Sequence, residues 1–286
     1  MMRVKGRLTI ILLIVLFGSP LSAQELTGTL GQIQKSGKIR IGYRESHPPM
    51  SFLDDNRKPA GYSIDLCESI VNRVEKEIGA DVKAEYVPVT SEGRFKALTD
   101  NKIDILCGVT TKTLSRSEIV DFTQLTFVTG ASLMTLKDNQ VRETGFSGKK
   151  IGVLKATTTE VALRGLLKET ATDAKVVLFN SAEEGVDALR NKRIDAYSAD
   201  QIVLIGIFMK ENDRSLVIDT NVFSFEPFAL AVRRNDADFR LVADREISEL
   251  CRSKKLLDLY DKWIGKFTGQ RMPIFNAMMQ LNSTPE

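Results

Sequence analysis

A single histidine in 286 residues, His47, excludes an imidazole metal cluster and any chemistry built on two histidines. Alone in a loop, it reads as a surface residue. Cysteine is nearly as scarce. Cys67, Cys107 and Cys251 are odd in number and widely spaced, which excludes a disulfide framework and a zinc pattern. They read first as three small buried hydrophobes, with Cys67 on a helical stripe with Val71, Val74 and Ile78. A Cys67–Cys107 pair remains open to an exported chain. Gly-x-Ser-x-Gly, a Walker loop and Cys-x-x-Cys are also missing, so nothing points to covalent, metal or cofactor chemistry. With 43% hydrophobic and 27% charged residues there is no disordered bias. A basic field for nucleic acid is absent too. Residues 1–23 carry Arg3, Lys5 and Arg7 and no acid, so without them 37 bases face 37 acids and the formal charge falls from +3 to zero.

The N-terminus has a clear order. Two cations in Met1 to Gly6 precede an almost wholly apolar run from Leu8 to Phe17, and Gly18 to Ala23 ends on a small residue before Gln24. That is the pattern of a secretory signal peptide over residues 1–23, too short for a stable membrane span. The expected location is the periplasm, and with no cysteine at the cleavage point a lipid anchor is not supported.

Beyond the leader the chain alternates strand and helix signals. Lys38 to Tyr43 reads as a strand, Gly61 to about Ile78 as a helix that Ser63 can cap and Asp65 favours, Val82 to Val87 as a strand, and Ile103 to Leu106 as a short buried strand. The apolar, β-prone stretch Leu125 to Met134 reads as a crossover. A second α/β series follows: Lys150–Leu154, Thr158–Lys168, Lys175–Phe179, Ala182–Asn191 and Ile194–Tyr197. Val222 to Val232 returns, and two helices bury Leu241, Ile247, Leu250 and Leu257. This rhythm predicts an α/β fold of two lobes, each a mostly parallel sheet flanked by helices. Residues 28–127 and 225–268 form lobe one, 131–222 lobe two, and 269–286 a frayed tail.

In such sheets, loops at the carboxyl ends of strands line the ligand crevice. That rule places Arg44, Ser91, Arg94, Thr157, Thr158 and Asp200 there, together with Gly108 and the hydroxyls of Thr110 to Ser115. Arg116 offers a planar fork matched to a carboxylate. Thr157-Thr158-Thr159-Glu160 has the spacing of a capping box, which leaves one threonine to cap and another to reach a ligand. Arg44 and Arg94 repel each other unless an anion lies between them.

The run Cys107-Gly-Val-Thr-Thr-Lys-Thr-Leu-Ser-Arg116, with Asp121-Phe-Thr123 behind it, resembles the signature of periplasmic amino-acid-binding proteins of polar amino acid ABC transporters, solute-binding protein family 3. Gly61-Tyr-Ser-Ile-Asp-Leu66 and Asp195-Ala-Tyr-Ser-Ala-Asp200 carry the same resemblance, which extends from about Leu30 to Lys266. It implies a type II two-lobed binding fold joined by two crossover strands. It also implies a monomer that closes on a small amino acid and hands it to an inner-membrane ABC permease, without being an enzyme. Arg116 then takes the α-carboxylate and Asp200 the ammonium. Ser91, Thr111, Thr157 and Thr158 supply neutral donors, Gly108 a carbonyl, and Phe52 or Tyr43 packs on ligand methylenes. With Arg44 and Arg94 free for a second carboxylate, the chain looks closest to the glutamate/aspartate branch. It departs from that branch at Val109, where a serine is expected, and at Asn180-Ser-Ala182, which lacks a histidine. The alternative on the same fold is an exported enzyme resembling cyclohexadienyl dehydratases, acting on prephenate or arogenate. Asp200 counts against prephenate, which has no amine to pair with it.

Overall fold

The alternating Lys38-Ile-Arg-Ile-Gly-Tyr43 buries Ile39 and Ile41, and this strand is the seed of the first sheet. The computed structural model describes residues 26–141, 145–265 and 271–286; the expected signal peptide lies outside them. In chain order the first unit holds α1 (Gly28–Ser36), β1 (Lys38–Tyr43), the small ribbon β2 (Ser46–His47), β3 (Ser51–Leu53) and β4 (Pro59–Ala60), then α2 (Tyr62–Ile78). β5 (Lys83–Pro88), α3 (Arg94–Thr99), β6 (Ile105–Leu106), α4 (Leu114–Ser117) and β7 (Val120–Thr129) complete its outward course. The second unit holds β8 (Ala131–Leu136), β9 (Lys150–Leu154), α5 (Thr158–Glu169), β10 (Lys175–Phe179) and α6 (Ala182–Arg190). It continues through β11 (Ala196–Asp200), α7 (Gln201–Glu211) and β12 (Leu216–Ile218). The chain returns on β13 (Glu226–Arg233) and ends in α8 (Ala237–Arg252), α9 (Lys255–Tyr260), a π-helical turn over Asp261–Gly265, and α10 (Pro273–Asn282).

The sheets are β5-β1-β6-β13-β7 and β10-β9-β11-β8-β12. In each, four strands run one way and the reversed strand is the one arriving from the other lobe, β13 in the first and β8 in the second. This is the expected two-lobed, mostly parallel architecture, since helix-covered strands read as near-continuous apolar runs. β9 is such a run, buried from Ile151 to Leu154. The two crossings touch at Gly130, where an added Cβ would lie 2.4 Å from the Ser224 carbonyl oxygen. The Ala131 N–H donates to Ser224 Oγ at 3.0 Å, and the Phe223 N–H to the Ala131 carbonyl at 2.9 Å.

Several local expectations need correction. The tail expected to fray contains α10, whose Phe275 is fully buried, 4.5 Å from Tyr260 and 5.7 Å from Phe127 between ring centroids. Phe275, Met278 and Met279 form a stripe at helical spacing, so the segment has a core face of its own. Leu241 is 49% exposed, because α8 turns Phe239, Val242, Ala243 and Ile247 inward instead; Leu256 rather than Leu257 is the fully buried residue of α9. Gly61, not Ser63, is the N-cap of α2. Ser63 donates to the Gly108 carbonyl at 3.0 Å, while Asp65 accepts from Lys262 Nζ and Trp263 Nε1. Cys67 and Cys107 are joined in a disulfide that ties α2 to the end of β6, and Cys251 alone remains a buried thiol.

Candidate functional site

Strand ends from both lobes converge on one cleft. β1 delivers Arg44, whose backbone is fixed by Ser51: the Arg44 N–H donates to Ser51 Oγ at 2.9 Å, and Ser51 Oγ donates back to the Arg44 carbonyl at 3.1 Å. The Arg44 stem lies across Gly108, where a Cβ would sit 3.0 Å from Arg44 Cγ, so a side chain at 108 would press on the arginine stem and make it give. From the β5 end, Ser91 Oγ donates across the cleft to the Lys155 carbonyl at 3.0 Å. Lys155 in turn pairs with Glu92 at 2.8 Å. On the far side, Gly206 of α7 presses against the loop before β3; a Cβ there would be 2.1 Å from the Pro48 carbonyl oxygen.

Three guanidinium groups share the interior. Arg94 and Arg44 are only 2% and 5% exposed, and Arg116 is partly buried. Arg94 and Arg116 both lie over the Phe95 ring, 4.9 and 5.4 Å from its centroid. Arg116 Nη1 donates to the Thr111 carbonyl at 2.7 Å, whereas Arg94 Nε has no partner within the protein. Burial drives Arg94 well below the usual guanidinium range, and Arg116 and Arg44 add to that. Burial also pushes Arg44 down to about 10 and lowers Arg116, against the pull of Glu226 and Asp200. Asp200, at the end of β11 where α7 begins, answers them. Its carboxyl is pushed up to about 8 by burial and by Glu226, with Arg94 and Arg116 opposing, and its Oδ1 has no partner within the protein.

The threonines behave differently from expectation. Thr157 Oγ1 caps α5 by accepting from the Glu160 N–H at 3.1 Å, and its proton is committed to the Leu154 carbonyl at 2.7 Å. The returning Glu160 carboxylate accepts from Ala156 N–H, one residue earlier than in the usual box. Thr111 and Thr158, from opposite lobes, both donate to Glu226 Oε2 at 2.6 Å. Tyr43 and Phe52 engage Tyr86 and Trp263 edge-on, at 6.2 and 5.8 Å. Asp195 accepts from the Lys150 N–H at the strand edge, as a structural residue should.

Sequence reasoning missed Glu226 and misplaced His47, while Thr110, expected at the crevice with its neighbouring hydroxyls, lies there buried. Glu226 hid in a crossover read only for its apolar neighbours; a single acid in such a run was the available signal. Thr110 is buried, and its hydroxyl has no partner within the protein. His47, expected at the surface, is buried beside Arg44 and Arg94, which with burial hold its imidazole well below the ordinary range. Its Nδ1 lacks a partner within the protein. Among the described residues no group of three or more His, Cys, Asp and Glu side chains is arranged to hold a metal ion.

Residues 39–266 match the family model described as "Bacterial extracellular solute-binding proteins, family 3". The L-glutamate/L-aspartate-binding protein of Pseudomonas aeruginosa is 31% identical over 252 residues, covering 87% of this chain and 83% of its own length. The glutamate/aspartate import solute-binding protein of Escherichia coli is 29% identical, covering 82% and 79%. Among solved structures, an ancestral arginine-binding protein bound to arginine is 28% identical with a TM-score of 0.73 over 80% of this chain and 99% of that one. The ancestral amino acid-binding protein AncCDT-1, a precursor of cyclohexadienyl dehydratase, is 28% identical with a TM-score of 0.72, over 82% and 99%.

Proposed function

The chain belongs to the bacterial extracellular solute-binding proteins of family 3, a family of binders rather than enzymes, and from that premise we propose that it captures glutamate or aspartate for an ABC permease. The charge count of the cleft carries the reading. Inside the buried space Arg44, Arg94 and Arg116 meet two acids, Asp200 and Glu226, while the acid acting on Arg44 is Glu183, exposed at the rim. A buried excess charge is unfavourable until matched. A ligand with one net negative charge matches it, and an amino acid with an acidic side chain is such a ligand. A neutral amino acid leaves the excess in place, and a cationic one enlarges it.

In this reading Arg116, steadied by the Thr111 carbonyl and Phe95, takes the α-carboxylate. Asp200 takes the ammonium through its unpartnered oxygen. Arg44 and Arg94 grip the side-chain carboxylate, with neutral His47 beside them. Ser91, Gly108, Thr111, Thr157 and Thr158 shape the walls rather than all donating to ligand. The lobe-to-lobe bond of Ser91 and the bond of Thr158 to Glu226 form as the cleft closes about the crossings near Gly130, a hinge motion. Lobe one is assigned 28–127 with 225–268 and lobe two 131–222, and the apolar leader over 1–23 directs the chain to the periplasm, where it works as a monomer.

Thermal-shift screening tests this. The mature protein is unfolded, stripped of carried-over ligand, refolded, and exposed to the twenty amino acids. Glutamate or aspartate at one hundred times its Kd should stabilise by about 2.7 kcal/mol, a shift of several degrees. Selective shifts with glutamine or arginine, and none with the acids, would refute the assignment.

A further inference from the structure

Glu226 stands where the three parts of the molecule meet. It lies on the returning crossover and is 2% exposed. Its Oε2 accepts from Thr111 of lobe one and from Thr158 of lobe two, both at 2.6 Å, and its Oε1 accepts from Ser224 Oγ at 2.7 Å. Its place beside Thr111 is set by the backbone: Ala229 N–H donates to the Thr110 carbonyl and Lys112 N–H to the Pro227 carbonyl, stitching residues 110–112 to β13. Thr158 comes from the opposite lobe.

A hydroxyl has one proton. With both protons committed to Glu226, the 3.1 Å approach between Thr111 Oγ1 and Thr158 Oγ1 brings lone pairs together, and each threonine turns acceptor sites toward the cleft. Asp200 and Glu226 are near enough to repel each other, and Asp200 keeps an unpartnered oxygen. One corner of the cleft therefore gathers acceptors from Asp200, Thr111 and Thr158, with the charges of Arg94 and Arg116 acting on Asp200 from beside it. Such a corner favours a group with several protons and a positive charge.

We infer that Glu226 is a selectivity determinant for the ligand's amino group: by holding the Thr111 and Thr158 protons it makes, with Asp200, a seat that admits an ammonium and rejects the same dicarboxylate lacking one. This deepens the acidic-amino-acid reading and rests on it. Glu226 acts mainly through the threonines and so is a positioning residue. A site whose buried polar groups are left unpaired by an analogue discriminates strongly against that analogue.

The test compares glutamate with glutarate, its deaminated counterpart, by calorimetry on stripped wild-type protein and Glu226→Gln. Wild type should prefer glutamate by about 100-fold or more. In Glu226→Gln the amide can donate, the threonine protons are freed, and the preference should fall below about tenfold, with glutamate weakened and glutarate unchanged or improved. Equal weakening of both ligands would make Glu226 a closing latch only and overturn the proposal, as would a wild type indifferent to the amine. If Glu226→Gln does not fold, Thr158→Ser against Thr158→Val gives the same readout: serine should retain more of the preference than valine, and equal preferences overturn the proposal. If no acidic amino acid binds wild type, the acidic-ligand reading fails by itself. The comparison then runs with the amino acid that does bind and its deaminated acid, and the Glu226 proposal stands or falls on that ratio.

Discussion

Replacing Asp200 by asparagine should separate closing of the cleft from filling it. With the lobes together the Asp200 carboxyl is raised from 3.8 to about 8, by burial first and then by Glu226, against Arg94 and Arg116. An open cleft returns it to water and to its ordinary range. Shutting the ligand-free cleft at pH 7 thus requires uptake of a proton across roughly three pH units, at about 1.4 kcal/mol each, or about 4 kcal/mol. The sign follows from the raised value. Below about pH 4 the carboxyl is protonated in both forms and exerts no bias. As pH rises toward 8 the closed ligand-free form loses its advantage progressively, and above 8 the loss levels off. Ligand ammonium replaces that proton, so closure with ligand escapes the penalty. Asparagine removes the titration and takes no cap away, because Asp200 makes no side-chain capping bond to α7. Small-angle scattering of stripped protein should show wild type opening between pH 5 and pH 8, with the compactness of Asp200→Asn unchanged between the two. Calorimetry should show the variant losing about 100-fold or more in glutamate affinity for want of an ammonium partner. A variant that opens between pH 5 and pH 8 as wild type does, or one that binds glutamate within threefold of it, would refute the argument.

The other expectations are simpler. Arg44→Ala and Arg94→Ala should each weaken glutamate by about 100-fold and glutamine by less than tenfold in calorimetry, since the lost charge-assisted bonds serve only the acidic side chain; equal losses would remove the side-chain assignment. Gly206→Ala adds a methyl 2.1 Å from the Pro48 carbonyl oxygen, so ligand affinity should fall at least tenfold although the helix itself gains about 1 kcal/mol in propensity. Unchanged affinity would mean that this contact is not needed for closure. The Cys67–Cys107 bond spans 40 residues of sequence, for which loop-entropy arguments give about 4 kcal/mol, so the double serine variant should melt roughly 10 °C lower in calorimetric scans.

The alternation of strand and helix signals was enough to foresee two covered, mostly parallel sheets, because burial on both faces leaves its mark in each strand, as in Ile151 to Leu154. The sheet-end rule likewise pointed Arg44, Arg94 and Asp200 at one crevice, a topological inference, and the family resemblance added Arg116. Where the reading failed, the missing information was about partners. His47 looked superficial because loop position says nothing about which arginines a turn folds it against. Thr157 and Thr158 are adjacent and chemically alike, yet one donates to Leu154 and the other to Glu226. The stripe of Phe275, Met278 and Met279 was legible and went unread.

By itself the sequence determined which elements form and which of their ends can carry polar groups, since hydrophobic periodicity and turn chemistry act over a few residues. Only the tertiary structure decided which charges share a buried space and where each hydroxyl proton goes. Those depend on approaches between segments more than one hundred residues apart, such as Thr111 and Glu226, whose interaction is set by distance and by exclusion of water, neither of which is written in local pattern.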